Sequence, residues 1–229
     1  MAKAGGNEIE SGKLYSPESS AALAVNAFGW FIERPGDLPP FSDLADLDWP
    51  AVRVDFERQM RFPWRGGRHP WLDAALETAT HLVGIESKRF EPFRDAKTVN
   101  LPDAYDRDVW GDGMAPFIAM RDALRTGHTS FTFLDAAQLV KHAFGLVTEG
   151  RRIGKVPVLL YLYAEPAMRG GVAIDPGTLM RHRAEVARFA TAVAGAAVRF
   201  AACSWREWLA RWTGDPRHHA DALVARFQP

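Results

Sequence analysis

The sequence predicts an α/β protein with a mixed central β-sheet flanked by helices. Three observations carry that reading. Residues 51–64, 71–78 and 81–90 form successive strand-type segments with no helical pattern between them, so they fold as an antiparallel meander. Residues 156–163, VPVLLYLY, are a nearly continuous apolar run rich in β-formers, the signature of a central strand covered on both faces. The later strand segments are separated by helical patterns, which lets them join the sheet by crossover.

In chain order, residues 1–14 are polar and read as a flexible N-terminus. A helix starts at Ser16-Pro17-Glu18, where serine suits the N-cap, proline the first turn and an acid the positive end of the helix dipole. It runs through Ile32 and stops at Pro35-Gly36. A loop rich in proline and aspartate follows. In the first strand, Val52, Val54 and Phe56 alternate with Arg53, Asp55 and Glu57. Arg65-Gly66-Gly67-Arg68 is a turn, with glycines for the positive φ of a tight hairpin. Residues 91–113 read as a long irregular loop. Helices are expected over 114–125 and 133–147, the latter with Ala137, Val140 and Phe144 inward and Gln138, Lys141 and His142 on another part of its surface. A helix over 175–193, a strand over 198–203 and closing helices over 205–212 and 215–227 complete the chain. Trp205, Trp208 and Trp212 recur at helical spacing and are read as packing. No repeat or linker is evident, so residues 15–229 are expected to form one domain.

Composition narrows the function. The single cysteine, Cys203, excludes an internal disulfide framework and a cysteine zinc site, and fits a reducing cytoplasm. No signal peptide is evident and no apolar run approaches bilayer length, so a cytoplasmic location with no membrane partner is expected. The net charge is zero, but from Arg151 onward there are twelve Lys and Arg against six Asp and Glu. That basic third is either solvated surface or a wall facing phosphates. No Gly-x-Ser-x-Gly elbow or Walker loop is present, and His218-His219, being adjacent, cannot share a helix face as a zinc pair.

The chemistry concentrates in 71–93, WLDAALETATHLVGIESKRFEPF. Alternation puts Glu86 and Lys88 on one face, and Asp73, Ala75 and Glu77 on one face of the preceding strand. A hairpin then brings an aspartate, a glutamate and a lysine together. Two carboxylates at a sheet end suit a hard divalent cation such as Mg²⁺, and a lysine beside them can steady a phosphate or its attacking water.

Asp73, twelve residues, then Glu86-Ser87-Lys88 resembles the D…(D/E)xK signature of the PD-(D/E)XK nuclease superfamily. The words RFPWRGGRHPWLD and HLVGIESKRFEPFRD are similar to a group of bacterial restriction-endonuclease-like proteins within it. Leu72 precedes Asp73 where the motif has proline, with Pro70 nearby. The resemblance implies a restriction-endonuclease-like α-β-β-β-α-β core over roughly residues 16–165. It also implies metal ligation by Asp73 and Glu86, with the Ser87 carbonyl as a further ligand, and a role for Lys88 in the reaction. An extra acid often comes from the first helix, which makes Glu18 a candidate beside its plain reading as a helix-start charge. Glu57 is a second candidate, or an exposed strand residue. A glutamine or lysine on the following helix often completes such sites, so Gln138 is a catalytic candidate and Lys141 a nucleic-acid contact, or both are solvated. Arg65, Arg68, Arg89 and Arg94 are the expected backbone contacts.

The function expected from these residues is a Mg²⁺-dependent nuclease, with Mn²⁺ as a substitute. DNA is the default substrate; RNA and a homodimer are left open. The alternative is an inactive nuclease-fold module that binds DNA or a protein.

Overall fold

The computed structural model describes residues 18–229. The expected helix start at Ser16-Pro17 and the expected flexible 1–14 segment lie outside them. Helix α1 spans Ser20–Gly29, and Ser19 is its cap, its hydroxyl accepting from the Ala22 N–H at 3.1 Å.

Strands β1 (Arg53–Gln59), β2 (Trp71–Glu77) and β3 (His81–Lys88) form the antiparallel meander. β1 is shorter than the alternation suggested. The last rung is the Met60 N–H to the Pro70 carbonyl at 2.8 Å, and beyond it Phe62 and Trp64 leave the ladder to stack on each other. The segment after β3 is not wholly irregular: it holds a short helix α2 (Glu91–Arg94) and 3₁₀ turns at Asp103–Asp106 and Asp112–Met114. Helices α3 (Ala115–Arg125) and α4 (Ala136–Ile153) then cross to β4 (Val156–Tyr163), which runs parallel to β3. α4 continues past the expected end at 147 because nothing breaks it before Gly154. That glycine caps it at φ +69°, with Arg151 and Arg152 at the negative end of the helix.

A small hairpin, β5 (Met168–Arg169) with β6 (Val172–Ala173), was not evident from the sequence. Helix α5 (Pro176–Ala192) returns the chain to β7 (Arg199–Ser204), parallel to β4. Helices α6 (Trp205–Ala210) and α7 (Pro216–Phe227) close the chain. The central sheet has the order β1-β2-β3-β4-β7, antiparallel for three strands and parallel for the rest.

Two cores sandwich this sheet. One packs α1, α6 and α7 on Ala74, Leu76, Val83, Ile85 and Leu160, and buries Trp205, Trp208 and Trp212 completely. The other packs α3, α4 and α5 on Leu72, Ala75, Leu82, Leu159 and Tyr161. β4 lies between β3 and β7 with its last six residues buried, as its continuous apolar sequence requires. No helix among the described residues is long and apolar enough to cross a membrane.

Candidate active site at a strand fork

β2 and β3 pair from Glu77↔Leu82 up to Ala74↔Ile85, and there the ladder stops. The next pair in register would be Asp73 with Glu86. Instead Asp73 Oδ2 accepts the Ser87 N–H at 2.7 Å, so a side chain takes the place of a backbone rung and the strands fork. The alternation in β2 slips at this point: Ala74 belongs to one core, but Leu72 and Ala75 both belong to the other. Asp73 therefore does not simply share the face of Ala75 and Glu77, as strict alternation implied. It turns toward β3. Across the β1–β2 ladder, Phe56↔Ala74 and Arg58↔Leu72 flank Glu57, which adopts φ +42°, a costly conformation for a glutamate. Gly84, opposite Ala75 in the ladder, leaves the space that Leu72 and Leu146 fill. A Cβ there would collide with Leu72 and come within 2.8 Å of Leu146.

Within the fork the charges are dense. Glu86 is 3 % exposed. One of its oxygens accepts from Lys88 Nζ, and the other lies 2.9 Å from His142 Nε2 on α4. Burial alone would raise the Glu86 carboxyl, but the charges of Lys88 and His142 outweigh it and hold it below its ordinary value. Asp73 goes the other way. Burial, then the charge of Glu86, pushes its carboxyl above the ordinary aspartate range, against Lys88 and the Ser87 N–H. Burial would lower the Lys88 ammonium, but Glu86 and Asp73 together raise it. The result is one carboxylate held ionised, one that favours its proton, and a cation paired with the first.

A strand residue sends its N–H and C=O to the same side. The Ser87 N–H points at Asp73, so its carbonyl faces the fork too, whereas Lys88 uses its carbonyl on β4, accepting from the Ala164 N–H at 2.8 Å. Glu91 at the start of α2 also contributes. It accepts from Ser20 Oγ at 2.7 Å and from the Arg89 N–H at 2.8 Å, and its charge is felt by both Asp73 and Lys88. The sequence placed Glu91 in a loop and gave no sign of this. A cleft of about 130 Å³ opens beside Lys88, walled by Glu91, Asp135, Gln138 and Tyr161.

The other candidates scatter. Glu18 lies 3.6 Å from Arg169, beside Phe93 and the β5–β6 hairpin. Arg65 and Arg68 are exposed in the β1–β2 connection, and Lys141 is half-buried on α4. Arg94 is exposed but held by both oxygens of Asp95, at 2.6 and 2.8 Å. Arg89 is a correction: it is 6 % exposed, lies over the rings of Phe90 and Phe227, and donates to the Phe227 carbonyl. A phosphate cannot reach it. The alternation that pairs Glu86 with Lys88 already places Arg89 on the opposite face. Among the described residues, no group of three or more His, Cys, Asp and Glu side chains is arranged to hold a metal.

The family described as Restriction Endonuclease associating with ARP matches residues 4–228. The chain belongs to this family. In this restriction-endonuclease family member, the five-stranded mixed sheet between helical layers is the architecture of a restriction-endonuclease-like fold. No curated protein and no solved structure matches the chain.

Proposed function

We propose that this protein is a metal-dependent nuclease that hydrolyses phosphodiester bonds in DNA. The observation that carries the reading is the fork itself. It gathers Asp73, Glu86, Lys88 and the Ser87 carbonyl at one sheet end, in a chain whose family is named for restriction endonucleases. Two carboxylates and a carbonyl are hard oxygen donors, few enough to leave room for water and phosphate, and they fit Mg²⁺ or Mn²⁺. Asp73, Glu86 and the Ser87 carbonyl would hold the cation. When bound, it supplies Lewis acidity toward the scissile phosphate and its attacking water.

The side chains divide the remaining work. Lys88, charged and beside Glu86, donates to the phosphate as negative charge develops. Gln138, on the wall of the cleft that Lys88 enters, orients the water or a phosphate oxygen. His142, with Nε2 2.9 Å from the far oxygen of Glu86, steadies that carboxylate through the ion-pair contact. To serve as a ligand, Asp73 would have to give up its proton. Arg65 and Arg68 reach the backbone.

The test is cleavage of linear, circular and single-stranded DNA with Mg²⁺, Mn²⁺ or EDTA, comparing the natural protein with Lys88→Ala. Metal-dependent cutting that the substitution abolishes is the expected result. Cutting that survives it removes Lys88 from the reaction. Binding without cutting in every metal favours the non-catalytic module, a reading to which the ion-paired state of Glu86 gives some support.

A further inference from the structure

Behind Glu86 lies a second and larger cavity that the reaction above does not use. It measures about 450 Å³, within the range of small-ligand pockets. Aromatic rings form much of its wall: Trp64, Tyr105 and Trp71, the last at the start of β2, two residues before Asp73. Trp71 is 39 % exposed, so part of its ring is open to a ligand in this cavity. The polar part of the wall includes two cations, Arg68 and Lys141, beside the neutral Asn100 and Gln138; among the described residues neither cation is in an ion pair with a carboxylate. His69 is also there. Its Nδ1 accepts the Phe62 N–H at 3.1 Å, so the ring proton sits on Nε2 and leaves a donor.

Two residues connect this cavity to the fork. His142 lines it and lies 2.9 Å from Glu86. Gln138 is a wall common to this cavity and to the cleft of Lys88. A ligand here needs a flat π-face for the rings, hydrogen-bond acceptors for His69 and Gln138, and an anion for Arg68 and Lys141. A nucleotide has all three.

We propose that this cavity is a nucleotide site, in which a base stacks on Trp71 while its phosphate meets Arg68 and Lys141. The nucleotide is either one swung out of the strand bound at the fork or a free mononucleotide. Only the first source rests on the nuclease reading. A base held there places its neighbouring phosphate at the fork, so the preferred substrate carries an unpaired base beside the cut.

The experiment measures binding in EDTA, where nothing is cut. A labelled single-stranded oligonucleotide, the matched duplex and the four deoxynucleoside monophosphates are titrated into the natural protein, Trp71→Ala, Trp71→Phe and Lys141→Glu. Melting curves confirm that each variant is folded. The expected result is that Trp71→Ala weakens the single strand roughly tenfold, the size of one base–aromatic stack. Trp71→Phe should restore most of that loss, Lys141→Glu should repeat it, and the duplex should respond less to Trp71. Monophosphates that bind with the same dependence on Trp71, and that the oligonucleotide fails to displace, support the site and identify the free nucleotide as its source. Unchanged affinity of Trp71→Ala for single strand and monophosphates overturns the proposal. If the protein cuts DNA and yet shows that unchanged affinity, the nuclease reading stands and the nucleotide site falls. If it binds nucleotides through Trp71 and never cuts, the reverse holds.

Discussion

Replacing Asp73 by asparagine should make the metal-free protein more stable, although it removes a proposed ligand. Asparagine keeps an oxygen where Asp73 Oδ2 accepts the Ser87 N–H, so the side chain that replaces the ladder rung is retained. What disappears is the cost of enclosing a carboxylate next to Glu86. The sign follows from the raised Asp73 value. Below the ordinary aspartate value of 3.8, folded and unfolded chains both carry the proton and nothing is lost. Above it the unfolded chain ionises while the fold holds its proton, so the natural protein loses stability as pH rises. Each pH unit in that window costs up to about 1.4 kcal/mol. Water entering the fork and the nearby Lys88 return part of this. A net gain of about 2 kcal/mol for Asp73→Asn at pH 7 is expected, or about 4–8 °C in melting temperature for a chain of this size. At pH 4 the gain should fall below about 0.5 kcal/mol. Thermal melts in EDTA at pH 4, 5.5, 7 and 8 read it directly. An advantage that does not grow with pH, or a variant less stable than the natural protein at pH 8, would refute the reasoning.

Further outcomes follow from the same geometry. Mg²⁺ affinity, measured by calorimetry, should rise with pH over the range in which Asp73 titrates and should release protons on binding; a flat profile would remove Asp73 from the ligand set. Gly84→Ala should cost about 1–3 kcal/mol in a denaturant melt, because the added methyl group meets Leu72 and Leu146. His142→Leu should destabilise by about 1–3 kcal/mol, since Glu86 stays buried with one partner fewer. Arg89→Met should leave DNA affinity and its salt dependence unchanged, whereas Arg68→Ala should flatten the slope of log affinity against log salt by about one; a slope change at Arg89 instead would show that the buried guanidinium does reach phosphate.

Much of this architecture can be read from local patterns, because period-two alternation and apolar runs are properties of neighbouring residues. VPVLLYLY occupies β4 from end to end, and the shared face of Glu86 and Lys88 follows from the pleat alone. What escaped was set by distant contacts or by broken patterns. The slip at Asp73 and the positive φ at Glu57 interrupt alternation, and a strand fork has no composition of its own. Glu91 is held by the nearby Arg89 N–H and by Ser20, which α1 brings from 71 positions upstream. The sequence pattern put His142 with Gln138 and Lys141 away from the inner face of its helix, yet it is buried. It sits in a helix whose buried residues include Leu139, Val140, Ala143 and Phe144, and a histidine so surrounded needs a partner. Glu86, buried on the facing strand, lies at that distance.

Arg89 has one more consequence. It follows Lys88 directly, and its guanidinium donates to the last carbonyl of α7, 138 positions downstream. That carbonyl belongs to the final turn of a helix, where main-chain acceptors have no partner inside the helix. The strand bearing the fork is thus moored to α7. Unwinding the end of α7, by trimming it or by grafting a bulky fusion onto it, would strand a buried cation one residue from Lys88. The end of α7 is therefore a poor point of attachment for any purification handle or reporter.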